Sequence, residues 1–254
     1  MSPTSDAPNP TIDLLTRHRS IRRYADAPVP DADIETAVRA GQGASTSSAV
    51  QSTSVIRVTD ADERAQLAEL TGGQAMVAAC GAFFVVCGDT RRHRLVVQRA
   101  GSQYDAQLEA FLIAAIDTAL FSQNMVIAFE SMGYGVCYIG GLRSNLPGVD
   151  ALLEIPEGVY PFFGLCVGVP DESPDARPRL PVEAVLHTGR YKDDAQLLGL
   201  IDRYDETYRA YLRARGASDR AIELGWSGRM AEKFATPRRP EVGDYFRSKG
   251  ASTA

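Results

Sequence analysis

One long apolar segment restricts the folds open to this chain more than any other feature. Residues 104–132 form the longest candidate helix, and apolar side chains occur on nearly all of its faces. These apolar positions include Leu108, Phe111, Leu112, Ile116, Leu120, Met125 and Ile127. A helix that is apolar on every side needs cover on every side, so we expect it at the centre of the fold or at a subunit interface. Gly133 is expected to end it.

Shorter helices and strands are predicted before and after this segment. Apolar spacing and capping residues predict helices over 11–17, from 31 onward, and over 60–70, 144–153 and 197–215. Apolar runs predict strands over 54–58, 82–87, 135–139 and 160–167. The order is typical of a mixed helix and strand protein, but its spacing is too irregular for a doubly wound sheet.

The chain is expected to form one domain that carries an arm. Residues 1–10 are rich in proline and serine and have no apolar core, so they are predicted to be a disordered lead-in and not a signal peptide. Residues 11–254 follow as a single domain. Hydrophobicity weakens after Pro170, and the residues around 190–235 are predicted to form a helical arm.

Charge and cysteine content argue against several classes of protein. The net charge of -5 provides no overall basic field for nucleic acid. The most apolar stretch, residues 110–121, is short for a membrane span and contains Asp117. The four cysteines are far apart without a CxxC pair, which argues against a zinc site or a disulfide scaffold. Together these features predict a cytoplasmic protein with reduced thiols.

The standard nucleotide-binding motifs are missing from the sequence. It contains neither GxxxxGK[ST] nor GxGxxG between a strand and a helix, so a nucleotide cofactor would have to be held in another way. The three histidines lack the neighbours that a metal site needs, and no metal is expected. The order of residues along the chain does not establish a Ser-His-Asp arrangement.

A basic segment near the N-terminus is a candidate phosphate site. It contains His18, Arg19, Ser20, Arg22 and Arg23, which place three guanidiniums within five residues. Guanidiniums fit phosphate oxygens with paired hydrogen bonds, and the serine adds a hydroxyl. Taken alone, the segment is more typical of a solvated basic turn, because short basic runs are common on surfaces.

Two polar turns and a glycine pair are further candidates. Residues 45–54 are dense in small hydroxyls, which can approach a ligand closely or simply form a loop. Gln74 follows a Gly-Gly turn that also fits a helix end. Gly140 and Gly141 follow a predicted strand, where exposed N–H groups can meet a flat ligand or form a tight turn.

Arginines in the last third of the chain offer two more anion sites. Arg177 and Arg179 lie in a long loop and could reach the phosphate that Arg19 binds. Arg209, Arg213, Arg215 and Arg220 gather on and just after the last long helix. They fit the 2′-phosphate of NADPH, or alternatively a solvated helix face.

In combination and in this order, these segments resemble the oxygen-insensitive NADPH nitroreductases of the major bacterial type and the related NADPH-flavin oxidoreductases. The resemblance extends from about Thr11 to past Trp226. The matching segments are 18–22, 45–48 with Gln51, 56–60, 70–74, 138–143, 163–168 and 178–181. The sequence departs from the family where Arg177 stands for a frequent lysine and Thr46 for a serine.

The resemblance implies an α+β fold with a central, mostly antiparallel sheet flanked by helices. It also implies an intertwined homodimer with FMN at the subunit interface and the long apolar helix in the dimer core. The implied cofactor residues are His18, Arg19, Ser20, Arg22, Ser47, Gln74, Tyr138, Gly140, Gly141, Arg143, Arg177 and Arg179. Arg215 and Arg220 are the best matches to the family's NADPH-phosphate segment.

The implied activity is hydride transfer from NADPH, or alternatively NADH, to FMN and then to an acceptor in a ping-pong cycle. The acceptor is expected to be a nitroaromatic, a quinone or a related flat molecule. No side chain is an obligatory catalyst, although Arg22 would stabilise negative charge on the reduced flavin. The alternatives are an FMN carrier or sensor without redox function, and a specialised flavoenzyme that acts on one metabolite.

Overall fold

The computed structural model describes residues 9–105 and 108–251. The helices are α1 Pro10–Thr16, α2 Asp31–Gln42, α3 Ala61–Leu70, α4 Met76–Ala79, α5 Arg91–Arg99, α6 Leu108–Ser131, α7 Leu146–Leu153, α8 Asp194–Ala214, α9 Asp219–Phe234 and α10 Val242–Ser248. The strands are β1 Thr53–Val58, β2 Ala82–Asp89, β3 Gly135–Ile139 and β4 Val159–Gly168. Short 3₁₀ turns cover Ser47–Ala49, Gly140–Ser144 and Val182–Ala184.

The first helix begins at Pro10, one residue before its predicted start. The Asn9 side chain caps it by accepting from the N–H groups of Thr11 and Ile12. Residues 1–8, most of the predicted disordered lead-in, lie outside the described residues.

The four strands form one antiparallel sheet in the order β1-β2-β4-β3, which confirms the expected α+β class. One face carries Phe83 and Ile139 against α3, α4 and α7. The other carries Phe84 and Leu165 against α2 and α6. Because both faces are covered, every residue of β2 is buried. All four cysteines are buried free thiols, as predicted.

The long apolar helix α6 is covered on one side only within this chain. Its buried side includes Met125 and Phe129. On the other side Leu112, Ile116 and Leu120 are 44%, 58% and 44% exposed, and their spacing of four residues aligns them in one stripe. The interface alternative therefore fits the structure better than a helix buried at the centre of one subunit.

By length and composition the 24 residues of α6 are also sufficient to cross a membrane. The helix is longer than the apolar stretch 110–121 that the sequence indicated. Core helices of soluble proteins pass the same test. Asp117, near the middle of α6, is buried and hydrogen-bonded within the chain.

Helix α5 was not predicted. Helix α5 opens with Arg91 and Arg92 and buries none of its residues, so it lacks the apolar face that marks a helix in sequence. It is started by Asp89 at the end of β2, whose carboxylate accepts from the N–H groups of Arg91 and Arg92 at 2.9 and 3.4 Å.

Residues 175–240 form a compact unit of their own, and the remaining residues form another. The smaller unit contains the residues predicted as the arm, and its core is built by Tyr204, Tyr208 and Leu212 of α8. In the larger unit, α10 returns to the chain's core, where Tyr245 and Phe246 pack with Tyr160.

A buried carboxylate holds α8 and α9 together. At Gly225 the backbone of α9 has φ 63°, which interrupts the helix and turns two N–H groups inward. The Asp205 carboxylate accepts from the N–H groups of Trp226 and Ser227 at 2.7 and 2.9 Å, and it pairs with Arg209 at 3.4 Å. Burial acts to raise the pKa of Asp205, but the hydrogen bonds from Ser227 and Trp226 and the charge of Arg209 outweigh it and lower the pKa.

Replacing this carboxylate is expected to destabilise the smaller unit in a pH-dependent way. Asp205→Asn should cost about 2 kcal/mol at pH 7, because hydrogen bonds to a charged acceptor are lost. The folded-state pKa lies below the ordinary 3.8, so the contribution is complete above about pH 4 and disappears as the pH falls through the folded value. Urea unfolding followed by Trp226 fluorescence at pH 7 and pH 3 measures this, since Trp226 is the only tryptophan.

Asp202→Asn, an exposed change on the same helix, is the matched control and should shift stability by no more than about 0.5 kcal/mol. Equal losses for Asp205→Asn at both pH values would contradict the assigned role of its charge.

Candidate functional site

The basic segment lies along the free edge of β3. Ser20 forms a parallel bridge with Val136, and the N–H of Ile21 donates to the Val136 carbonyl at 2.9 Å. Gly135 permits this approach, because a Cβ there would lie 2.7 Å from the Ile21 side chain. The pairing fixes the backbone from which the basic side chains project.

Two guanidiniums of this segment are not neutralised. Arg19 donates to the Ser173 hydroxyl at 3.1 Å, and Arg22 donates to the Ser20 carbonyl at 3.4 Å. Neither forms an ion pair with a carboxylate among the described residues. Arg22 is exposed and Arg19 is partly exposed. Such a pair of cations is suited to bind an anion from solution.

Two carboxylates that the sequence did not indicate hold the segment in place. The His18 Nδ1 lies 2.6 Å from the Glu130 carboxylate at the end of α6. Glu172 accepts from the N–H groups of Arg22 and Arg23 at 2.5 and 3.2 Å. Both lie more than a hundred residues from the segment in sequence, so no local pattern could have revealed them.

The other end of the β3 strand carries the glycine pair. A Cβ on Gly141 would lie 2.2 Å from Gln74 Nε2 and 2.3 Å from the Thr71 carbonyl oxygen, so this turn packs directly against the Gly-Gly-Gln turn. The Gln74 amide donates to the Thr71 carbonyl at 2.8 Å. The structure therefore brings Gln74 and Gly141 together, as a shared site requires.

Two neighbouring residues of the predicted cofactor set form hydrogen bonds within the protein. Arg143 donates to the Phe162 carbonyl at 2.5 Å. Tyr138 points its hydroxyl toward Ser122 of α6 at 3.3 Å, and burial raises its pKa. Their predicted contacts with a cofactor stay predictions.

The hydroxyl-rich loop is strained and is held by one carboxylate. Ser48, Ala49 and Gln51 have φ of 45°, 58° and 53°, the left-handed region that non-glycine residues rarely adopt. The buried Asp117 of α6 accepts from the Ser47 N–H at 3.0 Å and from the Ser52 N–H and hydroxyl at 3.3 and 3.2 Å. Strain of this kind persists only where the surroundings enforce it.

Asp117→Asn is expected to loosen this loop. The amide keeps one acceptor but loses the charge, and the change should lower the free energy of unfolding by about 2 kcal/mol. For a chain of this size that corresponds to roughly 4–8 °C in Tm. Thermal unfolding measures the effect, and limited proteolysis should show earlier cleavage within the loop.

Glu109→Gln, an exposed carboxylate on the same helix, is the control and should leave Tm nearly unchanged. A wild-type Tm in Asp117→Asn would mean that the carboxylate does not enforce the loop's conformation.

Within one chain the hydroxyl loop and the basic segment do not form a single pocket. Their anchors Asp117 and Glu130 are thirteen residues apart on α6, which is roughly 20 Å. The loop residues Thr46 and Gln51 line a concavity of about 660 Å³, whereas His18 and Arg19 line a separate one of about 350 Å³.

The four arginines of the implied cofactor and NADPH sites, Arg177, Arg179, Arg215 and Arg220, lie in the smaller unit. Arg177 and Arg179 have no ion pair among the described residues. Arg215 donates to the Tyr211 hydroxyl at 2.6 Å, and Arg220 pairs with Glu232 at 2.8 Å. The first pair is therefore free to bind an anion, whereas the charge of Arg220 is partly compensated.

These groups fit a phosphate-bearing cofactor. Uncompensated guanidiniums suit its phosphate, and a turn without side chains, such as Gly140-Gly141, can offer backbone N–H groups to a flat ring. The predicted site residues supply cations, hydroxyls and amides, which bind and orient, rather than an activated nucleophile. The redox or group-transfer chemistry would then come from the cofactor.

The nitroreductase family model matches residues 15–169, and the model of the family's C-terminal domain matches residues 177–253. An oxygen-insensitive NADPH nitroreductase from Salmonella typhimurium is 41% identical over 249 residues, covering 96% of this chain and 99% of the relative. The structure of NfrA1 from B. megaterium has a TM-score of 0.91 at 39% identity, covering 95% of this chain and 99% of that one.

The NADPH:FMN oxidoreductase from Vibrio harveyi, solved in complex with NAD+, has a TM-score of 0.87 at 38% identity and covers 97% of this chain and 100% of its own. The expected resemblance is thus confirmed over nearly the whole length, and this chain belongs to the nitroreductase family.

Proposed function

We propose that this protein is an FMN-dependent NAD(P)H oxidoreductase that reduces nitroaromatics, quinones or related flat acceptors. The observation that carries the proposal is the pair of uncompensated guanidiniums, Arg19 and Arg22, on the same strand edge as the Gly140-Gly141 turn. The names of the relatives, an NADPH nitroreductase and an NADPH:FMN oxidoreductase, support the same activity.

FMN, when bound, supplies the hydride-transfer chemistry. In the proposed site His18, Arg19, Ser20 and Arg22 hold its phosphate, ribityl chain and pyrimidine edge. The Arg22 guanidinium lowers the energy of negative charge near that edge, because a fixed cation stabilises developing charge without reorganising.

The other proposed contacts with FMN and NADPH involve residues further along the chain. Gln74 and the backbone of Gly140 and Gly141 orient the ring, with Tyr138 and Arg143 beside them. Arg177 and Arg179 bind the phosphate. Further along the chain, Arg215 and Arg220 bind the 2′-phosphate of NADPH. No side chain has to transfer a proton, since an open site admits protons from solvent.

We further propose that the active form is a homodimer, and that Ser47 serves the site of the partner copy. The exposed stripe on α6 provides an apolar surface for a second copy. The roughly 20 Å between the anchors of the loop and of the basic segment supports a site made from two chains. Buried free thiols support a cytoplasmic location.

Anaerobic stopped-flow reduction tests the proposal. The purified protein should be yellow, NADPH should bleach its flavin within seconds, and a quinone or a nitrofuran should restore the colour. The same reduction is measured with NADH in place of NADPH. Bound FMN that stays oxidised with both nicotinamides would exclude the oxidoreductase and favour a carrier or sensor. Rapid bleaching without reoxidation by any of these acceptors would favour a specialised enzyme.

A further inference from the structure

The smaller unit contains a basic concavity for which the proposed cofactor contacts account only in part. It has a volume of about 460 Å³ and lies entirely within residues 175–240. Its charged lining residues are Arg177, Arg179, Arg229, Lys233 and Arg238, and no Asp or Glu lines it. Five cations without a carboxylate create a local field that favours anions, although the whole chain is acidic.

Aromatic residues form the rest of the wall. Tyr204 and Trp226 pack edge to face with ring centres 5.6 Å apart, and both line the concavity. The Tyr204 hydroxyl donates to the Pro178 carbonyl at 2.8 Å, which fixes the loop that carries Arg177 and Arg179 against α8. The arginines are thus presented by an ordered loop, so the concavity is partly preorganised for a ligand.

Two arginines of this unit outside the concavity differ from the cations that line it. Arg209 pairs with Asp205 and Arg220 pairs with Glu232. By contrast, Arg229, Lys233 and Arg238 form no ion pair among the described residues, and all three are exposed. Because uncompensated cations that line one concavity raise its positive potential, they favour an anionic ligand there.

The charge of FMN does not satisfy the whole cluster. A phosphate monoester carries at most about two negative charges at neutral pH. Arg177 and Arg179, which together with Arg19 are assigned to that phosphate, are sufficient to neutralise it. Arg229, Lys233 and Arg238 are then left with three positive charges beside a polar, aromatic wall.

We propose that Arg229, Lys233 and Arg238 bind a phosphate or carboxylate group of a substrate that reacts with the flavin. This inference rests on the proposed function and refines it: the enzyme prefers anionic partners. Two sources share this chemistry: the pyrophosphate of the nicotinamide, whose 2′-phosphate is assigned to Arg215 and Arg220, and an acidic group on the electron acceptor. For a nitroarene carboxylate, NADPH and a proton reduce the nitro group to nitroso by two electrons, with NADP+ and water as the other products.

A binding experiment tests the site without relying on turnover. Trp226 is the only tryptophan and lines the concavity, so its fluorescence reports occupancy. Inorganic pyrophosphate is titrated into the FMN-loaded protein. The wild type should show a saturable fluorescence change, and Arg229→Gln and Arg238→Gln should each weaken the apparent affinity about tenfold. Arg203→Gln, an exposed cation of α8 outside the concavity, should leave it within about twofold.

Steady-state kinetics then separate the two sources. If the acceptor is the source, Arg229→Gln lowers kcat/KM about tenfold for 4-nitrobenzoate relative to 4-nitrobenzyl alcohol. If the nicotinamide is the source, the same variant lowers kcat/KM for NADPH and for NADH alike by a similar factor, because both carry the pyrophosphate. Either change supports the inference.

An unchanged acceptor ratio together with unchanged kcat/KM for both nicotinamides, or pyrophosphate affinities equal in wild type and variants, overturns the inference while leaving the oxidoreductase proposal intact. Pyrophosphate binding in a protein whose flavin NADPH never reduces would contradict the proposed function instead.

Discussion

Gly141→Ala is expected to lower Tm by roughly 6–12 °C and to weaken FMN binding at least tenfold. The added Cβ would lie 2.3 Å from the Thr71 carbonyl oxygen and 2.2 Å from Gln74 Nε2. A side chain can rotate away, but the backbone of Thr71 can yield only by opening the contact between the two turns. Overpacking of this kind costs about 3 kcal/mol, which gives the expected shift in Tm for a chain of this size.

Gly140→Ala is the matched control for this substitution. A Cβ there would meet only the end of the flexible Arg143 side chain, at 3.4 Å. The backbone N–H that is proposed to face the flavin remains in both variants. We therefore expect Gly140→Ala to keep its FMN and most of its stability. Thermal unfolding and the flavin absorbance retained after gel filtration measure both effects. If both variants lose similar amounts of stability and FMN, the cause is the loss of glycine's backbone freedom and not the close contact between Gly141 and Thr71.

Ile116→Glu is expected to convert the protein to a monomer and to remove most of its FMN. Ile116 is 58% exposed in the middle of the α6 stripe, between Leu112 and Leu120. An unpaired carboxylate placed inside an apolar interface costs several kcal/mol, enough to dissociate the dimer at micromolar concentration. Because Ser47 is proposed to serve the partner's site, a monomer would lack one wall of each site. Analytical ultracentrifugation with flavin absorbance detection measures both outcomes.

Leu198→Glu provides the comparison, since Leu198 is similarly exposed at 59% but lies on α8. It should remain dimeric and yellow. The fold of the Ile116→Glu monomer is checked by circular dichroism, which should be close to that of the wild type because the site is already solvent-exposed within one chain. A folded Ile116→Glu dimer with full FMN content would exclude α6 as the interface.

Much of the fold could be predicted where the local pattern was strong. The strand at Gly135–Ile139 was predicted with the correct bounds, because glycines flank a short apolar run. Helix α5 was missed, because what starts it is the side chain of Asp89 and not an apolar face. The α6 helix was predicted. Its solvent-exposed side could be identified only from the structure, in which the sheet covers the opposite side of the helix.

The candidate site was predictable in composition but not in arrangement. Cations, hydroxyls and glycine pairs stand out in sequence because few other residue types suit phosphates and flat rings. The carboxylates that hold them do not: Glu130 and Glu172 look like ordinary surface charges until the fold brings them to His18 and Arg22. Sequence order also gives no distances, so the separation of the hydroxyl loop from the basic segment required the structure.

Helix α6 determines how defects in two different subunits would combine in one dimer. It holds the hydroxyl loop through Asp117 and the basic segment through Glu130, at a spacing that a rigid helix cannot change. In a dimer with shared sites, a subunit defective in the loop and a subunit defective in the basic segment would together form one intact site and one doubly defective site. Two inactive variants, mixed and refolded, would recover activity that neither has alone.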